Sequence, residues 1–161
     1  MATMEEKKLR QLRLFNNLIF GFAKGLYELF GDSALATVDT IGEDILEEME
    51  HELGLEIHGE DPETILTEIE RLLMDEYGLV KSARLEIDPE THEIHMICEG
   101  CLLTRATESL DEEGIPPYTC VPMTMASAAL HKRLGAKSKF IAFNQDVPNR
   151  ICDIHFRMME S

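Results

Sequence analysis

The chain has 161 residues, 44% of them hydrophobic and 29% charged, which suits a single domain over 1–161 with a core of its own. Its 31 acidic and 15 basic residues give a formal net charge of −16, a surface that repels phosphate backbones and argues against direct nucleic-acid binding. No run of about twenty apolar residues predicts a membrane span, and the polar start MATMEEKKLRQLRLFNN lacks a secretory signal's apolar centre, so a cytoplasmic protein with reduced cysteines is expected.

In chain order, Leu9, Leu12, Leu18, Phe22, Leu26 and Leu29 recur at helical spacing over residues 5–30. Gly21 and Gly25 interrupt that stripe and would admit a close neighbour or mark a bend. The apolar segment LIFGFAKGLYELF offers either a dimer face or packing on the chain's own sheet. Asp32 or Ser33 is placed to cap a second helix, with Ala34, Val38, Ile41, Ile45 and Met49 apolar and Glu43, Asp44, Glu47, Glu48 and Glu50 on a solvated face. After the connector GLEIHGE, Asp61-Pro62 is a strong start for a third helix buried through Ile65, Ile69, Leu72 and Leu73 and ended by Gly78.

The period then changes. Ala83, Leu85 and Ile87 alternate with charged residues, Pro89-Glu90-Thr91 makes a turn, and Ile94, Met96 and Cys98 alternate in their turn, which predicts a β-hairpin with one buried face. A short helix over 101–112, a second over 122–134 and two strands, 138–145 and 150–158, complete the pattern. The predicted class is α+β: N-terminal helices packed on a mainly antiparallel sheet, with a late helix between strands. The basic groups Lys7/Lys8/Arg10/Arg13 and His131/Lys132/Arg133 read as ordinary solvated helix ends.

Chemistry-bearing residues are few. Cys98 and Cys101 form a Cys-x-x-Cys at a strand end, Cys120 precedes the late helix, and Cys152 opens the last strand on its core-facing side. Four thiols suit a soft metal such as zinc, or an iron–sulfur cluster. Their spacing, C-x2-C-x18-C-x31-C, lacks the second compact pair of a zinc ribbon, so four small buried side chains are the competing reading. A thioredoxin-type redox pair would need a βαβ context that a hairpin does not supply. His95 could substitute as a ligand. His155, between Asp153 and Arg157, suits either a carboxylate-oriented base or a surface charge network. Met123, Met125, Met158 and Met159 with Phe140, Phe143 and Phe156 fill a core or line an adaptable apolar pocket.

The succession GEDILEEMEHELGLEI, YGLVKSARLEID, HMICEGC, YTCVPMTMASAAL and ICDIHFRM resembles the vinyl-4-reductase, or hydrocarbon-binding, domain family over roughly residues 30–160. The resemblance implies an α+β fold shared with TRAPP-type trafficking subunits, homodimers, and a small hydrophobic or aromatic ligand. It also implies, for one branch, a sensing role in transcription activators and, for another, vinyl-group reduction. The sensor branch's zinc ligands match Cys120 and Cys152. Its middle glutamate and cysteine have no counterpart in SKFIAFNQDVPN, and Cys98 and Cys101 would supply them from the hairpin. The expected function is a stand-alone, non-enzymatic ligand-binding or sensing domain with a cysteine-ligated structural metal and, for signalling, a partner protein. The alternative is a reductase or a thiol or iron–sulfur redox protein, although no flavin or nicotinamide motif is present.

Overall fold

A computed structural model describes residues 2–159. Five α-helices and four strands follow in the order α1 (Met4–Phe30), α2 (Thr37–Glu52), α3 (Pro62–Arg71), β1 (Ser82–Ile87), β2 (Glu93–Glu99), α4 (Thr104–Glu112), α5 (Val121–Leu134), β3 (Lys137–Asp146) and β4 (Ile151–Met159). The strands form one antiparallel sheet in the order β1-β2-β4-β3, so β4 enters between the hairpin and β3. This is the α+β architecture expected, with the N-terminal helices and the late helix α5 on one face.

Local chemistry sets most boundaries. Asp61 caps α3 by accepting the Thr64 amide at 2.9 Å, and Pro62 occupies the first turn where no amide proton is needed. Gly135 closes α5 with a φ of 70°. Two starts differ from expectation. Asp32 and Ser33 lie within a 3-10 segment, Gly31–Ala36, and α2 begins only at Thr37 without a side-chain cap; Asp32 accepts the Tyr27 hydroxyl instead. The helix expected from 101 begins at Thr104, because Cys101 and Leu102 are still engaged in the turn that leaves β2.

Helix α5 is the centre of the molecule. Every side chain from Pro122 to Leu130 is buried, because α2 and α3 pack on its outer side and the sheet on its inner side. Gly42 brings α2 close: a β-carbon there would stand 2.6 Å from the Thr124 carbonyl oxygen and 2.7 Å from the Ala128 methyl. The same helix pair is fastened at its end by Glu50, which receives Lys132 and Arg133 at 2.6 Å each. The basic cluster is therefore an interhelix clamp rather than a solvated end. Ile94, Met96, Ile154 and Phe156 extend this core across the sheet.

Helix α1 packs on α4 rather than on the sheet. Asn16 is buried there; its amide donates to the Leu12 and Leu102 carbonyls and its oxygen accepts the Ala106 amide, each at 3.0 Å. The apolar stripe does not bury itself on the chain's own sheet: Leu18, Phe22, Leu29 and Phe30 are exposed, and nothing approaches within 4 Å of where Gly21 or Gly25 would carry a β-carbon. No helix of the described residues is long and apolar enough to cross a membrane.

Candidate functional site

The turn after β2 aims two thiols inward. Gly100 adopts a φ of 65°, which lets the chain reverse so that both Cys98 and Cys101 face the core. The turn is held from both sides: the Gly100 amide donates to the Arg150 carbonyl at 2.9 Å, and the Lys81 amide to Glu99 at 2.9 Å. Cys152 is the direct cross-strand partner of Cys98 on β4. Cys120 is the residue that enters α5, its carbonyl accepting the Thr124 amide at 2.9 Å.

All four cysteines are buried, free, and line one small cavity closed by Leu103, Thr107, Val121, Pro122 and Ile154. The centre of a water-sized sphere explores about 10 Å³ of it, room for a single water or ion. No three of the sulfurs are drawn within 4.8 Å of one another; among the described residues only His95, Asp153 and His155 are that compact. Tetrahedral ligation at ~2.3 Å per bond would place sulfurs about 3.8 Å apart, so a bound ion would contract the cluster.

The electrostatics favour neutral thiols in the absence of a cation. Burial pushes the Cys98 thiol up to about 12, helped by the nearby Cys101 and Cys152. Burial likewise takes Cys152 up to about 11. Cys120 is raised well above the ordinary range, burial outweighing the Met123 amide, and Cys101 is raised by burial against opposing hydrogen bonds from Leu103 and Thr104. A coordinated cation reverses this balance and deprotonates its thiols. A donor stands in register: Gln145 is opposite Cys152 on β3, and its side-chain nitrogen is buried without a hydrogen-bond partner among the described residues.

A second cavity, of about 340 Å³, lies between the Gly31–Ala36 segment, α2, α5 and the β3–β4 ladder. Its walls are mainly apolar, from Leu35, Val38, Tyr118, Met123, Phe140 and Phe156. Four polar side chains reach it: Asp39, Ser127, Ser138 and Lys139. Ser127 donates to Asp39 at 3.2 Å, whereas the buried Ser138 hydroxyl has no partner among the described residues. Of the Met and Phe set read from the sequence, Met123, Phe140 and Phe156 line this cavity, Met125, Phe143 and Met158 pack with the core, and Met159 is exposed. The polar residues were missed, because a serine in an alternating strand gives no sign of lacking a partner.

On the opposite sheet face, His155 lies 2.9 Å from Asp153, and its ring centroid 4.0 Å from that of His95.

No curated protein matches the chain by sequence. Solved structures share the fold. One is "a trafficking protein particle complex subunit 3 from Naegleria fowleri covalently bound to palmitic acid", at 9% identity and TM-score 0.53, covering 93% of this chain and 96% of that one. Another is the "phenol-responsive sensory domain of the transcription activator PoxR with Phenol", at 12% identity and TM-score 0.53, covering 89% and 74%. The trafficking-subunit fold implied by the motif order is therefore present. The vinyl-4-reductase family, however, is not the one whose model matches. The family described as "Putative rubredoxin C-terminal domain" matches residues 15–155, and the chain belongs to that family.

Proposed function

We propose that this chain is a small-molecule-binding domain of the sensing type, its ligand a compact apolar or aromatic molecule carrying one hydroxyl. The observation that carries the reading is the apolar cavity of about 340 Å³ whose wall holds one hydroxyl, that of Ser138, without a partner among the described residues. That volume suits a small ligand, and one convergent polar group in an apolar wall is how such pockets fix orientation. The phenol and palmitic acid named for the two structural relatives belong to those proteins; phenol agrees in chemical class with this pocket, and palmitic acid shares only its apolar character.

The second part of the proposal is that Cys98, Cys101, Cys120 and Cys152 ligate one structural metal ion, zinc first and iron second. Four converging buried thiols and an unpartnered amide beside Cys152 support it, and the rubredoxin in the family's name agrees with a cysteine-bound metal. The ion would tie the hairpin, the start of α5 and β4 together. A thiol-redox role would need a thiolate at neutral pH, and burial pushes all four groups the other way. The dimer expected from α1 remains part of the proposal, supported by that helix's exposed leucines and phenylalanines.

Titration with 1-naphthol tests the pocket, since the chain has no tryptophan to mask naphthol emission. One saturable site is expected, weakened about tenfold by Ser138→Ala through loss of one hydrogen bond. Val38→Trp, which fills the cavity, should abolish it. Equal affinity in Val38→Trp would refute the pocket. Elemental analysis of the anaerobically purified chain tests the metal: about one ion per chain, lost in Cys98→Ser and Cys152→Ser, is expected, and no metal in the wild type sinks the four-thiol site.

A further inference from the structure

We infer that His95, Asp153 and His155 form a second metal site, for a divalent first-row transition ion, on the sheet face turned away from the helices. Strand alternation builds it. Along β2 and β4 the residues Ile94, Met96, Cys152, Ile154 and Phe156 turn into the core, so the residues between them turn out. His95 and His155 are direct cross-strand partners, and Asp153 lies two residues before His155 on the same face.

The local geometry is that of ligands around one point. One donor atom from each of the three residues lies within 4.8 Å of the others, a compactness no other group of three such residues reaches among the described residues. His155 Nε2 is 2.9 Å from Asp153 Oδ2, yet Nε2 makes no hydrogen bond: it is close to the carboxylate without pointing at it. An ordinary histidine–aspartate pair would align that bond. Two ligands at ~2.1 Å from one ion stand about 3.0 Å apart at right angles and about 3.4 Å apart in a tetrahedron, so the pair already spans an octahedral edge and would open by roughly 0.5 Å around tetrahedral zinc. Asp153 Oδ1 is likewise buried without a partner among the described residues. Two buried polar atoms without partners, on residues two apart in one strand, are costly unless an ion or water satisfies them.

The surroundings leave room. Across the β3–β4 ladder Ala142 faces His155 and Asn144 faces Asp153, while the nearby Arg157 is engaged with Glu93. Two imidazoles and one carboxylate on one side of an ion leave its remaining positions to water or a small ligand, and this donor set selects zinc, iron, cobalt or nickel over magnesium and calcium. The site is separate from the cysteine cavity, which faces the helices, and does not rest on it.

The test is zinc titration of the wild-type chain, read by the ring-nitrogen resonances of its six histidines. His95 and His155 should shift together and saturate with one equivalent beyond the ion held by the cysteines, while His51, His58, His92 and His131 stay in place and magnesium moves none. Equilibrium dialysis of His155→Gln and Asp153→Asn should show that equivalent weakened at least tenfold, with the cobalt–thiolate absorption of the cysteine site unchanged. Rings of His95 and His155 that do not move at several equivalents of zinc, or variants that keep wild-type stoichiometry and affinity, would overturn the site. Loss of the thiolate absorption with the histidine shifts retained would refute the cysteine centre alone.

Discussion

Three helical glycines should respond to the same substitution with opposite signs. Replacing glycine by alanine inside a helix ordinarily stabilises by about 0.5–1 kcal/mol, because the unfolded chain loses freedom. At Gly21 and Gly25 the added methyl meets nothing within 4 Å, so that gain should be realised. At Gly42 the methyl would stand 2.6 Å from the Thr124 carbonyl oxygen and 2.7 Å from the Ala128 methyl. Ordinary carbon contacts need about 3.5 Å or more, so α2 and α5 must separate by roughly 0.8 Å. Neither obstacle is a flexible side-chain end. Overpacking of that kind costs about 1–3 kcal/mol, and the helix-propensity gain offsets only part of it. The propensity gain is common to both, so the expected spread between Gly21→Ala and Gly42→Ala is the overpacking cost itself, about 1–3 kcal/mol, or roughly 2–12 °C in Tm for a chain of this length. Thermal unfolding followed by circular dichroism measures it. A Gly42→Ala protein as stable as Gly21→Ala would refute the close approach of α2 to α5. Destabilisation by Gly21→Ala that grows with protein concentration would instead show that the second copy proposed to pack on α1 sits against this glycine.

Other expectations follow from individual contacts. Asn16→Ala should cost about 1–2 kcal/mol in urea unfolding, since it takes the amide donor from the Leu102 carbonyl and leaves the Ala106 amide with the Leu103 carbonyl alone. Glu50→Gln should cost about 1–2 kcal/mol at neutral pH. Burial raises the Glu50 carboxyl, but Lys132, the Ile57 amide and Arg133 outweigh that and hold it below its ordinary value. Its contribution is therefore full above the unfolded carboxylate pKa and lost as pH falls through the folded one, so mutant and wild type should converge in acid. The thiols run the other way: with folded values of about 12 for Cys98 and about 11 for Cys152, metal-free protein should lose stability as pH rises above the unfolded thiol value. Alkylation by iodoacetamide at pH 8 should be negligible in the folded metal-free chain and rapid in denaturant; fast labelling of the folded chain would show a thiolate that burial should forbid.

Period and punctuation made much of the fold readable. Asp61-Pro62, the alternation on either side of Pro89-Glu90-Thr91, and Pro122 to Gly135 each announce an element that the structure contains. Strand order was not readable, because insertion of β4 between β2 and β3 depends on packing between segments far apart in sequence. That order sets Cys152 beside Cys98, so the convergence of the thiols was an expectation that spacing alone did not carry. The stripe on α1 shows the limit of periodicity: it predicts an apolar face at Leu18 and Phe22 but not what covers it. His95 was read as a substitute ligand for the cysteines and His155 as a partner of Asp153 and Arg157, but not as partners of each other, since their pairing exists only across the β2–β4 ladder.

Residues 152 and 153 are neighbours in one strand, yet they serve opposite sides of the sheet, the thiol inward and the carboxylate outward. A single inserted or deleted residue in this part of β4 would exchange the two sets, sending Cys152, Ile154 and Phe156 to solvent and Asp153, His155 and Arg157 into the core. Because β4 is bonded on both edges, such a change has no edge along which to be absorbed. β3, at the margin, carries the sheet's irregularity instead, a register shift between Phe140 and Ala142. In a lineage of such proteins, length variation should accumulate in β3 and the turn after it, while β4 changes by substitution alone.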